Sequence, residues 1–417
     1  MDTSQLAAAL RSSLGPVTIE GLSRLSGGAS RETWAFDAVS GDGARTELVL
    51  RRDPPGRPGE PGSMSREAAA IAVARAAGLA VPEVLLSTDG PGLWGSAGLI
   101  MRRVPGETIA RRILRDDAYG GARAVLAAEL GAFAARLHAL RPPPGLPAAD
   151  PLAGLRATLS AAGDASQVFE LALSTLEASP PPPRKPVLVH GDLRLGNLIV
   201  GADALRAVID WELVHTGNPA EDLGWLCVKA WRFGAALPVA GVGTREELLA
   251  AYRAAGGADI SLDELRWWEI LGTLRWGIIC MSQAQAHLSG AYRSVELAAI
   301  GRRVCEQEWD LLLLLAPEAA AQAAAARPRP GGQPWLAPAP YGRPTASELL
   351  DAVRGYLYEQ VMPATSGQLS FHARVAANVL AIVARELEAG AIPEEAGLAS
   401  RVAARLAVAN PRYFGDG

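Results

Sequence analysis

The chain has 417 residues, with 40 basic against 44 acidic side chains and a formal net charge of −4. That length suits two to three domains, and the slight acidic excess argues against nucleic acid as the main partner. Cys227, Cys280 and Cys305 are widely spaced and form no metal or redox pattern, which predicts a reducing compartment. The first residues lack the basic start and apolar core of a signal peptide. The apolar run at 311–317 is too short to span a bilayer. The expectation is a cytoplasmic protein without a membrane anchor.

In chain order, Leu25-Ser26-Gly27-Gly28-Ala29-Ser30 lies between two apolar stretches. With 33–36, a turn at 41–43 and 48–50, it predicts three antiparallel strands and a glycine-containing hairpin. Glycines let backbone N–H groups approach phosphates, and Ser26 and Ser30 can add hydroxyls. Alternation puts Arg51, at the end of the third strand, on the face of Val49. Residues 65–77 predict a helix closed by Gly78, with Glu67 in its first turn as the candidate partner of Arg51. Residues 99–106 read as a strand running into a linker at Pro105-Gly106.

An amphipathic helix is predicted at 122–140, where His138 reads as a packing residue or dipole partner. A second is predicted at 151–176, and Pro180–Pro183 form a stiff lead-in to the next segment. Residues 187–212, VLVHGDLRLGNLIVGADALRAVIDWE, are the most informative stretch. Three apolar runs bounded by turn residues predict a strand, a polar loop and a hairpin. They bring Asp192, Asn197 and Asp210 to its mouth. Phosphoryl transfer asks for positioning, metal charge and a place for the acceptor proton. Asp192 can orient a hydroxyl and accept its proton. Asn197 offers a neutral oxygen and Asp210 an anionic one, the kind of set that Mg²⁺ favours beside phosphate oxygens. Helices are expected at 220–233, 244–255, 262–287 and 295–315, with Asp222 orienting the polar loop from a helix start. The tryptophans in these helices read mainly as core, with Trp231 and Trp276 as candidate linings of an acceptor pocket.

Residues 317–340 are rich in alanine, proline and glycine and predict a linker. Beyond it, a capping-box pattern at Thr345–Glu348 opens a helix that ends at Pro363. Further helices are expected at 369–389 and 393–409. Arg374 and Asn378, one turn apart, read as a capping or inter-helix hydrogen-bond pair. A three-helix bundle of this size is marginal alone, so it is expected to dock on the preceding lobe or on a second subunit.

HGDLRLGNLIV followed by VIDWE and TGNPAEDLGW resembles the aminoglycoside phosphotransferase and choline kinase superfamily. The resemblance spans roughly residues 20–315. VLRRDPPG and MRRVPGETI make the chain most similar to the kinase-like domain found ahead of acyl-CoA dehydrogenase domains. The resemblance implies an α+β, two-lobed protein-kinase-like fold with a C-terminal all-α domain. Its divisions would be a nucleotide-binding lobe at 1–103, a mainly helical catalytic lobe at 104–316, the linker at 317–340 and a helical domain of unknown function at 341–417. Asp192 would be the catalytic base, and Asn197 and Asp210 the metal ligands. Ser26, Gly27, Gly28, Ser30, Arg51, Glu67, Met101 and Arg103 would meet the nucleotide. The implied cofactors are ATP and Mg²⁺, and the implied acceptor is a hydroxyl-bearing small molecule, such as a hydroxyacyl-CoA. One departure stands out: the family usually has Lys where this chain has Arg51, and its two lysines, Lys185 and Lys229, lie outside the N-terminal lobe. Arg51 or Arg52 must then take that role. Alternatives are a pseudokinase or nucleotide sensor acting through its C-terminal helices, and an aminoglycoside-resistance kinase. The latter predicts an acidic acceptor cleft, for which the late helices show no dense acidic cluster.

Overall fold

The structure is a computed structural model. It describes all residues except 1, 26–30, 55–58, 92–93, 149, 162–165, 292–294, 327–345, 394 and 415–417. Ser26, Gly27, Gly28 and Ser30 therefore lie outside the described residues, as does Thr345. The chain divides into two compact units, Met1–Ala149 with Pro181–Glu269, and Asp150–Pro180 with Ile270–Gly417.

The first unit opens with helix α1 (Thr3–Leu14), whose N-terminus is capped by the Asp2 carboxylate. A five-stranded antiparallel sheet follows. It comprises β1 (Val17–Arg24), β2 (Glu32–Ser40) and β3 (Arg45–Arg52), then, after helix α2 (Ser63–Ala76), β4 (Val84–Thr88) and β5 (Gly98–Arg102). The strand order is β1-β2-β3-β5-β4. Period-two alternation decides which side chains go where. Leu48 and Leu50 join Leu6, Leu10, Phe36 and Ile100 in a core on the α1 side. Val49 packs instead with Met64, Leu99 and Met101 on the α2 side.

Helix α2 starts two residues before the sequence predicts. Its first turn is capped from afar by Asp89, whose Oδ1 accepts from the N–H groups of Met64 (2.9 Å) and Ser65 (3.2 Å). Glu67 consequently sits past the first turn and is buried, so its partners are side chains rather than the helix terminus.

The remainder of this unit is mainly helical. Helices α3 (Ala110–Arg115) and α4 (Gly120–His138) are followed, beyond residue 180, by strand β6 (Val187–Val189). The hairpin of β7 (Leu198–Val200) and β8 (Leu205–Val208) comes next, then β9 (His215–Gly217), which pairs with β6. Two helices complete the unit. One spans Ala220–Cys227, shorter than predicted because a 3₁₀ turn takes over at Lys229–Arg232. The other, Arg245–Ala254, carries a full Thr244/Glu247 capping box.

The second unit is helical throughout its described residues. The single helix predicted at 151–176 is two, α5 (Pro151–Ala161) and α6 (Gln167–Ala178). After α7 (Ala220–Cys227) and α8 (Arg245–Ala254) of the first unit, α9 (Leu262–Leu288) runs from the first unit into the second. The helix predicted at 295–315 is also divided, into α10 (Val295–Gly301) and α11 (Val304–Leu315). The first residues of the expected linker form α12 (Pro317–Ala325): Pro at its start lacks only an N–H that no helical partner would have used, and alanine has the highest helix propensity. Then come α13 (Ala346–Tyr356), a π-turn at Leu357–Val361, α14 (Met362–Ala364), α15 (Gly367–Ala389) and α16 (Leu398–Ala409).

Helix α16 packs on α11 and α12, and α15 on α10 and α13. Buried polar contacts bind these helices together. Glu308 accepts from Ser166 Oγ at 2.6 Å and pairs with Arg405 at 2.8 Å, while Tyr413 donates to Asp310 at 2.6 Å. Arg374 and Asn378 do not pair with each other. Asn378 accepts from the Tyr358 hydroxyl at 2.9 Å, and the Arg374 guanidinium stacks over Phe371.

Candidate active site

The polar loop after β6 is held by one buried carboxylate. Asp222, in the first turn of α7, accepts the N–H of His190 (2.8 Å) and of Gly191 (2.9 Å), and contacts His138 Nε2 at 3.3 Å. Burial disfavours its charge, but His138 and these N–H groups hold its pKa below the ordinary carboxylate value. His138, on α4, is braced in turn by the Tyr252 hydroxyl at 2.9 Å. Gly191 adopts φ +81°, and a Cβ there would run into the Leu213 carbonyl, so only glycine fits this turn. His190 Nδ1 faces the Asp192 N–H at 3.2 Å, which leaves Nε2 to donate to the Ile209 carbonyl at 3.1 Å. The Ile209 N–H donates to the Asn197 carbonyl at 2.9 Å. The loop and the hairpin end are thus one hydrogen-bonded piece.

On that piece, Asn197 Nδ2 donates to the Asp192 carboxylate at 2.6 Å and to the Asp192 carbonyl at 2.9 Å. Trp225 Nε1 donates to Asp192 Oδ1 at 2.7 Å. Arg194 Nε lies 2.9 and 3.1 Å from the two Asp192 oxygens. Asp210 follows β8 with φ +69°, a strained conformation for a non-glycine residue.

Arg51 joins the sheet to this hairpin. Its Nη1 donates to Glu67 Oε1 at 2.9 Å and its Nη2 to Asp210 Oδ1 at 2.6 Å, across 159 positions of sequence. Arg31 pairs with the other Glu67 oxygen and lies 3.4 Å from Asp53 and 3.7 Å from Glu212, which also lies 3.6 Å from Arg51. Among the described residues, Arg31 and Arg51 are thus shared among four carboxylates, and a third arginine, Arg194, also acts on Asp210. Burial opposes the charge of Asp210, yet Arg51, followed by Arg194, holds its pKa below the usual carboxylate value. Arg52 points to the opposite face, toward Glu32 at 2.9 Å and the Trp94 carbonyl. Of the two candidate arginines, Arg51 alone reaches the site.

Met101 is buried mid-sheet, opposite Val49 on one side and Val84 on the other. The N–H groups of Arg102 and Arg103 are already committed, to the Glu83 carbonyl at 2.8 Å and the Glu47 carbonyl at 3.0 Å. The first N–H of this segment without a described partner is that of Val104.

Arg31, Asp53, Glu212 and Trp225 are site neighbours that sequence reading did not single out. Arg31 carries no spacing signal, and Asp53 stood inside the VLRRDPPG motif without a role. Glu212 and Trp225 stood inside recognised motifs, where Trp225 read as core.

The donor set suits a divalent cation. Asn197 commits only its Nδ2, so its amide oxygen has no donor among the described residues, and neither does Asp210 Oδ2. One neutral and one anionic oxygen is a Mg²⁺-type arrangement. Among the described residues, no cluster of three His, Cys, Asp or Glu side chains forms a metal cage.

A twisted antiparallel sheet with one helix, joined to a helical lobe whose loops carry Asp, Asn and Asp, defines a kinase-like phosphotransferase. Residues 21–268, more than half the chain, match the phosphotransferase enzyme family model, and the chain belongs to that family. Residues 363–400 match a domain family of unknown function, DUF6285. The chain is 27% identical over 165 residues to acyl-CoA dehydrogenase family member 11 of Gallus gallus; the match covers 36% of this chain and 21% of that protein. Similar solved structures include a candidate aminoglycoside phosphotransferase of Ralstonia eutropha JMP134, at TM-score 0.56 and 20% identity, covering 74% of this chain and 98% of that one. A choline/ethanolamine kinase family protein of Mesorhizobium loti has TM-score 0.51 and 19% identity, covering 76% and 95%. Spectinomycin phosphotransferase, solved with ADP and spectinomycin, has TM-score 0.54 and 14% identity, covering 75% and 98%. At these identities the likeness establishes the fold. No helix among the described residues is long and apolar enough to cross a membrane.

Proposed function

We propose that this phosphotransferase moves the γ-phosphoryl group of Mg²⁺-bound ATP to a hydroxyl of a small metabolite. The observation that carries the reading is connectivity. Arg51 contacts Asp210, and Asp210 follows the Ile209 N–H that fastens the hairpin to Asn197, which in turn holds Asp192. A phosphate-seeking cation, an anionic oxygen, a neutral oxygen and a candidate base are thereby fixed as one set.

In this reading Asp192 orients the acceptor hydroxyl and takes its proton. The acceptor oxygen bonds to the γ-phosphorus as the bond to the β,γ-bridging oxygen breaks, and that electron pair leaves with ADP. Arg51 binds phosphate oxygens through its planar fork, and Glu67 holds it in place. Asn197 and Asp210 would hold Mg²⁺, which supplies charge neutralisation at the phosphates. Asp222 keeps the loop in register without touching substrate.

The relative named as an acyl-CoA dehydrogenase family member directs the acceptor search toward hydroxyacyl thioesters. The Arg194 guanidinium beside Asp192 argues against a polycationic drug as acceptor. The replacement of lysine by Arg51 favours a second reading, a nucleotide sensor without turnover.

The test is ATP consumption with Mg²⁺ over a panel of hydroxyacyl-CoAs, amino alcohols, sugars and aminoglycosides, with Asp192→Ala as control. A hit that falls by at least about a hundredfold in the variant, the scale of general-base loss, supports the kinase reading. A hit unchanged in Asp192→Ala removes Asp192 as base. No turnover across the panel, with Mg·ATP raising the melting temperature, favours the sensor.

A further inference from the structure

The Asp192 carboxylate accepts from three N–H groups. Oδ1 accepts from Trp225 Nε1 (2.7 Å) and Arg194 Nε (2.9 Å). Oδ2 accepts from Asn197 Nδ2 (2.6 Å) and, more distantly, the same Arg194 Nε (3.1 Å). A carboxylate offers about four lone-pair sites. Three N–H groups leave at most one of those sites, and the Arg194 Nε–H, shared by both oxygens, spans the edge that a substrate hydroxyl must approach.

Two of the three donors are fixed. Trp225 is buried in α7, and Asn197 is tied to the Asp192 carbonyl by the same Nδ2. Arg194 is the movable one. Its side chain is 24% exposed on a long flexible stem. It lies against Gly196, where a Cβ would collide with Nη1, and its guanidinium carbon stands 4.7 Å above the Trp231 ring. Among the described residues neither Nη donates to an oxygen, so most of the guanidinium fork is unused.

Building on Asp192 as the base, we propose that Arg194 is a further catalytic residue. It masks Asp192 in the resting state. When nucleotide enters, its fork moves to the γ-phosphoryl oxygens and frees an Asp192 oxygen for the acceptor hydroxyl. The exchange replaces one charge-assisted hydrogen bond by others of the same kind, and the Trp231 face supports the cation while it changes partner. Gly196 leaves the space that the movement needs.

The experiment is isothermal titration calorimetry of the full chain with Mg·ADP and with Mg·AMP-PNP, a non-hydrolysable ATP analogue. Wild type is compared with Arg194→Met, Arg194→Lys, Asp192→Asn and the Asp192→Asn/Arg194→Met double variant. Arg194→Met should weaken AMP-PNP binding about tenfold, the scale of one charged hydrogen bond, and leave ADP binding within about twofold. Retained ADP affinity also reports that the variant is folded. Arg194→Lys should fall between. Asp192→Asn should tighten AMP-PNP because the guanidinium is released, and the gain should vanish in the double variant. Equal effects of Arg194→Met on both nucleotides, or on neither, overturn the proposal and leave the kinase reading standing. A gain from Asp192→Asn that persists without Arg194 also overturns it. Failure of the wild-type chain to bind either nucleotide overturns the kinase reading itself, and the proposal with it.

Discussion

The two ends of the site are secured by different physics. The loop bearing Asp192 is held by hydrogen bonds from backbone N–H groups and aromatic side chains, gathered on the buried Asp222. The end bearing Asp210 is held by charge, with Arg31 and Arg51 shared among Asp53, Glu67, Asp210 and Glu212. Hydrogen bonds to fixed N–H groups set a geometry and leave little net charge. The arginine cluster holds Asp210, whose free oxygen, with the Asn197 amide oxygen from the neighbouring loop, suits a divalent cation. In the proposed reading the loop end is held in the free protein, Arg194 apart, whereas the nucleotide end is completed by its ligand.

The largest effect should come from removing the anchor of the loop end. Asp222→Ala strands two buried N–H groups and His138, and should cost about 3–5 kcal/mol of unfolding free energy, as for a broken buried charged network. Urea denaturation measures it. The same carboxylate predicts the acid limb of stability. Because folding lowers the Asp222 pKa, its contribution is fully present above the unfolded value of 3.8 and disappears as pH falls through the lower folded value. Asp222→Asn should be less stable than wild type at neutral pH and lose less stability below that value. Parallel acid limbs in the two proteins would mean that the anchor does not act through its charge.

A smaller effect should follow at the ligand-completed end. Arg51→Lys restores the residue type usual in this family, yet it should weaken Mg·ADP binding by about tenfold. The guanidinium reaches Glu67 and Asp210 with two different nitrogens, and a point-like ammonium cannot reproduce that bridge. Calorimetry that gave equal or tighter binding for Arg51→Lys would show that the bridge is incidental and that charge alone matters.

The same contrast governs what the sequence made legible. Asp192, Asn197 and Asp210 stood out because one short stretch of strands and turns places them, and local patterning is what a sequence displays. Arg51 and Glu67 were readable from strand alternation and helix position. The helix start was misjudged because its cap, Asp89, comes from a distant turn. Arg31 had no pattern, and the motif around Asp53 did not reveal its partner, since ion pairs across a folded sheet leave no spacing in the chain. The C-terminal helices were visible by periodicity, but the packing of α16 on α11 and α12 rests on contacts about a hundred positions apart, such as Asn410 to Glu306 and Tyr413 to Asp310.

The most direct test of the ligand-completed end is the affinity of ADP for the wild-type chain with Mg²⁺ and with EDTA, each repeated in Asp210→Asn. The account predicts that Mg²⁺ tightens ADP binding by at least about tenfold, the worth of one charged contact, and that Asp210→Asn removes most of that gain. Equal ADP affinity with and without Mg²⁺ in the wild type would contradict it.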